Sequence, residues 1–330
     1  MHETDPAESR KADKRAARLR AENTFEAIGR EWWELKKSSW SEGHAEAVKT
    51  RLEKLLFPTL GHRPIAEIDA PELLDTLRAI ERRDALELAS KTRIVAGMVF
   101  RYAIQTGRAK MDPARDLRGA LKTRETRHYA KLSDADLPEF LRKLDAYDGN
   151  TVTKLALKLL ALMFVRTGEL RGARWSEFDF EKAEWRIPAE RMKTLAQHIV
   201  PLSQQAVAVL EQLKPITGER EYLFPNEHKP RGMMSENTIL FALYRMGYRG
   251  RATGHGFRAT ASTILNEQGF KADVIERQLA HKEPNKVRAA YDHSEHLPER
   301  RKMMQHWADY LDARRRTADK VISGRFGAAR

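Results

Sequence analysis

The sequence predicts a mainly α protein with a small antiparallel β-sheet, divided into two domains. Three observations predict it. Most apolar residues recur at three- and four-residue spacing, the period of a helix face. Only 178–180, 184–188 and 198–201 read as strands, close enough in sequence to pair as one small sheet. The 330 residues exceed one ordinary core, and a basic, weakly periodic stretch interrupts the helical pattern at 109–132.

The elements follow in order. Residues 1–22 are charged and alanine-rich with almost no large apolar residues, so they have no core of their own. From Thr24 the pattern changes: Phe25, Ile28, Trp32 and Trp33 recur at helical spacing. A second helical block covers 43–57, with Val48, Leu52, Leu55 and Leu56 on one stripe and Pro58 and Gly61 as its stop. Pro71 opens a third helix at a position where its missing N–H costs nothing. A fourth runs from about 86 to 105, with Gly107 as its stop. These four helices form one small domain, 23–108, and 109–132 is the linker. Ser133 and Asp134 cap the first helix of a larger domain, 133–315. Its run 153–165 is nearly all apolar and predicts a buried central helix. Helices are expected at 203–213, 235–246, 256–268, 271–280 and 296–315, and 316–330 is expected to be a basic tail.

Composition narrows the function. The net charge of +13 points to a polyanion, nucleic acid first, with a basic surface kept for solubility as the alternative. There are no cysteines, which excludes disulfides, zinc–cysteine sites and thiol nucleophiles. No apolar run approaches the ~20 residues of a membrane span, and the charged N-terminus has no apolar signal core. A cytoplasmic, nucleoid-associated protein with no membrane contact is the expectation.

Several residues could carry chemistry. His255 and Arg258 lie three apart at an expected helix start, sharing a face where donors and dipole potential suit a phosphate. An ordinary surface histidine beside an arginine is the competing reading. Arg166 sits where a long apolar helix ends, with Glu169 able to orient it, or it simply answers that helix's dipole. Lys193 falls between two expected strands, in a turn from which it could reach a ligand or merely be solvated. His281 precedes a proline-started segment, and Tyr291 lies ten residues on, where a packing role is the default for a tyrosine.

Taken together and in order, these residues are similar to a known set. Arg166 in an R-x-x-E-L context, Lys193 in a β-turn, His255-x-x-Arg258, His281 after Leu279-Ala280, and Tyr291 resemble the active site of tyrosine recombinases of the phage integrase family. The stretches RTGELRGARW, MKT with HIVPLS, GHGFRATAST, LAH and VRAAYDH resemble its P4-type branch, and the resemblance covers about 24–312. It implies a helical core-type DNA-binding domain followed by an α+β catalytic domain. It also implies a further N-terminal arm-binding domain that residues 1–22 look like the sequel to, so the chain resembles a short member or one with that domain removed.

The resemblance implies a site-specific recombinase that integrates or excises a mobile element. Arg166 and Arg258 would hold the non-bridging phosphate oxygens and stabilise the pentacoordinate transition state. Tyr291 would be the nucleophile, and because a phenol has a pKa of ~10 it needs help, with His255 as proton acceptor. Lys193 would protonate the leaving 5′ hydroxyl, and His281 would hydrogen-bond the phosphate or steer Tyr291. The ester conserves bond energy, so no ATP, metal or other cofactor is expected. Partners would be double-stranded DNA at attachment-type sites, three further protomers in a homotetramer on two duplexes, and a DNA-bending host factor or excisionase. A type IB topoisomerase-like enzyme, a non-catalytic DNA-binding regulator and a metal-dependent nuclease are the competing readings.

Overall fold

The computed structural model describes residues 22–122, 130–193, 195–229, 231–281 and 295–326, with the backbone alone for 317–326. The expected N-terminal segment 1–22 therefore lies almost wholly outside the described residues, as does Tyr291. The chain divides into two compact units, one up to Arg127 and one from His128. It is mainly helical with one three-stranded antiparallel sheet, the predicted fold class.

The first unit is all helical. Helix α1 (Phe25–Lys37) starts where the Thr24 hydroxyl accepts the Ala27 N–H, and it buries Phe25, Ile28 and Trp32 on one stripe. Phe25 meets the rings of Phe57 and Phe100 at 6.2 and 5.4 Å. Helix α2 (Glu42–Arg51) does not stop at Pro58 as expected. A π-turn over Leu52–Leu56 bonds the Phe57 N–H to the Leu52 carbonyl, and a last turn α3 (Phe57–Leu60) follows. Pro58 thus falls in a first turn, where its missing N–H has no partner to lose. Helix α4 (Ala70–Glu81) is capped by Asp69, whose carboxylate accepts the Glu72 N–H at 2.9 Å. Helix α5 (Leu86–Gln105) runs through the centre, burying Ala89, Val95, Val99, Phe100 and Ala103. The expected linker does not begin at 109. A single turn α6 (Pro113–Asp116) brings Ala114, Leu117 and Leu121 into this core, and one turn is too short to show a period in sequence.

In the second unit, the Ser133 N–H donates to the Asp136 carboxylate and caps the entry to α7 (Leu137–Asp145). Helix α8 (Thr151–Met163) is nearly all apolar because most of its surface is buried, and Asn150 caps it. A short helix α9 (Thr167–Arg171) leads to β1 (Phe178–Asp179), β2 (Glu184–Ile187) and β3 (His198–Pro201), paired in that order with Phe178 opposite Trp185 and Trp185 opposite Val200. Trp185 is fully buried and stacks on Phe178 at 5.2 Å. Then come α10 (Gln204–Thr217), α11 (Thr238–Arg245), α12 (Gly256–Glu267), α13 (Ala272–Gln278) and α14 (Leu297–Phe326). Helix α14 outruns its expected end: 316–323 holds neither proline nor glycine to stop it, and the helix continues through Gly324 to Phe326. Its Trp307 donates to the Ala161 carbonyl at 2.9 Å and pins it on α8.

Phe140 is fully buried between Tyr248 and Phe257, at 5.4 and 5.2 Å. Phe140→Ala should destabilise the second unit by about 3–5 kcal/mol. A urea titration followed by near-UV circular dichroism checks this, and an unchanged midpoint contradicts it.

Candidate active site

The site is built on the C-terminal end of α13. Ala280 is left-handed (φ 49°), the Ala280 N–H bonds to Arg277 O and the His281 N–H bonds to Glu276 O, both at 3.1 Å. This is a Schellman ending with alanine where glycine is usual. It leaves the carbonyls of Gln278, Leu279 and Ala280 pointing away from the helix axis. Three side chains from distant parts of the chain take them up. His198 Nε2 donates to Gln278 O at 3.2 Å, Arg258 Nη2 to Leu279 O at 2.7 Å, and Arg166 Nη2 to Ala280 O at 3.2 Å.

Arg166 is the N-cap residue of α9, beyond the apolar helix whose dipole it was set against. Glu169, three residues on and buried, accepts from the Arg166 guanidinium at 2.7 Å and from its backbone N–H at 2.9 Å. Arg258 lies in the first turn of α12 and is 4% exposed. Its Nη1 donates to Phe164 O at 3.2 Å. Phe164 ends α8 in a left-handed conformation (φ 40°), which turns that carbonyl toward the guanidinium. The helix carrying Arg258 can come this close because it starts with glycine. A Cβ on Gly256 would sit 2.2 Å from the Ala130 carbonyl oxygen.

Each guanidinium has five N–H donors, more than these contacts use. Burial first, and then the Arg166 cation, push the Arg258 guanidinium down to about 10, against the raising effect of Glu169 and Glu276. It remains a cation at neutral pH. His255, the N-cap residue of α12, is exposed at the same place. Partial burial first, then Arg258, Arg166 and His281, hold its imidazole below the usual range, so it is neutral near pH 7. His281 Nε2 lies 3.2 Å from Arg258 Nη2, and its Nδ1 lies 2.6 Å from the Glu276 carboxylate.

The structure thus brings together Arg166, Glu169, Arg258, His281 and, through their shared field, His255. Lys193 is exposed on the loop between β2 and β3, outside this hydrogen-bonded cluster among the described residues. That loop is longer than the expected tight turn and holds a 3₁₀ turn, Ala189–Arg191. Among the described residues, no group of three or more His, Cys, Asp or Glu is placed to hold a metal ion.

Sequence reasoning missed the support behind the site. Gln278 is fully buried. Its side-chain oxygen accepts from Arg300 Nε and Nη2 at 3.1 and 2.8 Å, and its amide nitrogen donates to Met163 O at 3.4 Å. Arg300, also fully buried, reaches Ile199 O and Glu295 O as well. Arg191 joins the Glu169 carbonyl, at 2.6 Å, to the Glu177 carboxylate. No short spacing links these residues, so no local motif could reveal them.

Two predictions follow from this platform. Burial first, then the Arg300 and Arg277 cations, push the His198 imidazole from 6.5 down to about 3. Above pH 6.5 it is neutral folded or unfolded, and its contribution to stability is complete. As pH falls from 6.5 toward 3, the unfolded chain alone takes up the proton and stability drops. The urea midpoint should therefore fall between about pH 7.5 and about pH 5, and fall less in His198→Gln; equal losses in the two proteins would refute the assignment. Separately, Ala280→Gly relieves a left-handed alanine and should raise stability by about 1 kcal/mol in the same titration. A lowered midpoint contradicts that.

Comparison with known proteins gives the family. Residues 131–297 match the phage integrase family, and residues 25–120 match the phage integrase central domain. The integrase of Enterobacteria phage P4 is 46% identical over 324 residues, 92% of this chain and 73% of that protein. The prophage integrase IntS of Escherichia coli K12 is 40% identical, over 93% of this chain and 79% of that protein. In fold, a lambda integrase tetramer bound to a Holliday junction aligns with a TM-score of 0.67 at 18% identity, over 86% of this chain and 83% of that one. The Tn1549 transposon integrase in complex with circular intermediate DNA aligns with a TM-score of 0.63 at 15% identity, over 82% of this chain and 96% of that one. The chain belongs to the phage integrase family, on the branch of the P4 and prophage integrases.

Proposed function

We propose that the site carries out DNA strand cleavage and rejoining through a covalent tyrosine intermediate, and that the protein is a site-specific recombinase of attachment-type sites. The observation that carries this is the pair of guanidiniums, Arg166 and Arg258, hung side by side on neighbouring carbonyls of one helix end with His281 against Arg258 and His255 in their field. Two like charges held together, one of them buried, make a site that an anion completes.

The steps balance on this chain's residues. The Tyr291 hydroxyl attacks the phosphorus, and its proton passes to neutral His255. Charge that builds on the non-bridging oxygens is met by Arg166 and Arg258, with His281 donating to the same oxygens. The bond from phosphorus to the 5′ oxygen breaks, and the leaving oxygen takes a proton from Lys193. The product is a 3′-phosphotyrosine and a free 5′ hydroxyl. Attack by a 5′ hydroxyl from a second duplex reverses each transfer and completes the exchange. Ester energy is conserved, so neither ATP nor a metal ion is required.

Four protomers on two duplexes are the assembly that exchanges strands, and a DNA-bending factor or excisionase sets its direction at the nucleoid. The relatives are integrases, which favours recombination over topoisomerase-like relaxation, regulation without cleavage, or metal-dependent hydrolysis.

Incubation with a nicked attachment-site duplex should give a protein–DNA species that survives SDS, forms in EDTA, and is absent with Tyr291→Phe. No adduct from the unsubstituted protein, or an adduct from Tyr291→Phe, overturns the proposal. Arg258→Lys should lower adduct formation by ~100-fold or more, because an ammonium cannot replace a planar fork held by two carbonyls.

A further inference from the structure

Lys193 is exposed on the loop between β2 and β3, yet the two residues before it are anchored. Met192 is buried, and its carbonyl accepts the Leu195 N–H at 3.0 Å, which closes the chain just beyond Lys193. Arg191 is held through both ends of its guanidinium. Nη1 donates to the Glu177 carboxylate, and Nη2 donates to the Glu169 carbonyl at 2.6 Å. Glu177 is fixed in turn, because its carboxylate also accepts the indole N–H of Trp185, in β2, at 2.9 Å. A Cβ at Gly172 would stand 2.9 Å from Arg191 Nη2, so the lack of a side chain where α9 ends leaves room for the fork. Glu169 therefore serves two arginines: its carboxylate accepts from the Arg166 guanidinium at 2.7 Å, and its carbonyl accepts from Arg191. One residue thus joins Arg166 to the base of the Lys193 loop.

We infer that Arg191 is a positioning residue for the leaving-group step: by tying the base of the loop to Glu169, it sets Lys193 in register with Arg166, so that the ammonium meets the 5′ oxygen of the phosphate that Arg166 holds. This rests on the function proposed above. Arg191 touches neither phosphate nor leaving oxygen in this scheme; it acts through the two residues of main chain that lead to Lys193. The Arg191 side chain is 17% exposed and that of Glu177 7%, and a guanidinium paired with a buried carboxylate has little charge left to offer a duplex. A lysine stem is flexible, so where the stem starts decides which positions its ammonium can reach, and a misplacement of about 1 Å can cost about 100-fold in rate.

The test uses the full chain and an attachment-site duplex in which sulfur replaces the bridging 5′ oxygen at the cleaved bond. The step stays balanced: the bond from the Tyr291 oxygen to phosphorus forms, the phosphorus–sulfur bond breaks, the phenol proton passes to His255, and the sulfur departs as a thiolate. A thiol has a pKa of ~8.5, so the thiolate leaves without a proton, whereas the far more basic alkoxide needs one. On the ordinary duplex, the single-turnover rate of SDS-resistant adduct formation should fall about 100-fold or more in Lys193→Ala and about tenfold or more in Arg191→Met. On the sulfur duplex both variants should come within about threefold of the unsubstituted protein, whereas Arg258→Lys should stay slow on either duplex. Arg191→Met combined with Lys193→Ala should be no slower than Lys193→Ala alone on the ordinary duplex, since without the lysine there is nothing to position. Arg191→Met also leaves the buried Glu177 carboxylate short of its cation. A second form with Glu177→Gln added removes that charge, still offers Trp185 an oxygen, and should show the same rescue by sulfur. A loss that sulfur rescues in neither form, no loss on either duplex, or a further loss on top of Lys193→Ala overturns the inference. Lys193→Ala that sulfur does not rescue, or no adduct from the unsubstituted protein, would instead sink the underlying reading, which separates the two failures.

Discussion

Everything in the site depends on how one short helix ends. A helix terminus leaves backbone carbonyls without intrahelical partners, and burying them unpaired is expensive. At α13 the Schellman turn satisfies the carbonyls of Glu276 and Arg277, and the next three are satisfied from outside by His198, Arg258 and Arg166. The helix end and the arginines are therefore conditions for each other. The carbonyls supply the acceptors that a buried guanidinium needs, and the guanidiniums supply the donors that the carbonyls need. Gln278 fixes this end in place, because one fully buried amide reaches Met163 at the end of α8 and Arg300 at the start of α14, while its backbone carbonyl receives His198 from β3.

The electrostatics follow from that arrangement. Burial lowers the affinity of Arg258 for its proton, and the Arg166 guanidinium on the adjacent carbonyl lowers it further. Glu169 offsets part of the repulsion from beneath Arg166. Neutral backbone dipoles do the rest of the holding. A site held open in this way is preorganised for an anion: the donors are already oriented, and little has to rearrange when charge develops on a phosphate oxygen. The same field acts on His255 in the opposite sense to a carboxylate partner. Partial burial first, and then that field, keep the imidazole neutral, which is the state the proposed proton acceptor must have when a phenol is deprotonated.

Much of this was legible in the sequence, for reasons that can be named. The helices of both units announce themselves through apolar spacing, and Ser133 stands at the entry to the second unit's first helix, where its N–H meets the Asp136 carboxylate. Arg166 with Glu169 and His255 with Arg258 could be read as pairs because three residues on a first turn bring side chains together. What escaped reading falls into two kinds. One is backbone conformation without its usual residue: Phe164 and Ala280 are left-handed without being glycine, and the π-turn before Pro58 has no compositional signature. The other is pairing across long separations, as in Gln278 with Arg300 and His198 with Gln278, where neither residue predicts the other. Glu276 with His281 combines both kinds, since the contact exists only because Ala280 reverses the chain.

The positions of the two left-handed residues carry a further point. A non-glycine residue with positive φ is strained, and such strain persists only where its surroundings enforce it. Phe164 is enforced by packing: it is fully buried, and its ring meets Trp307 of α14 edge-on at 6.1 Å. Ala280 is enforced by the two backbone bonds of the helix ending. Each presents its carbonyl to a different arginine, Phe164 to Arg258 and Ala280 to Arg166. Relaxation of either residue would swing that carbonyl away and leave a guanidinium short of an acceptor. The strain and the arginines are thus coupled, and the core that holds Phe164 also helps set the geometry of the arginine pair. The sixty basic residues of the chain can attract a duplex from any direction, since exposed charges act at a distance and are screened by salt. Placing a phosphate to within the reach of one hydrogen bond is a different task, and under the proposed function it falls to two arginines that the backbone itself holds still.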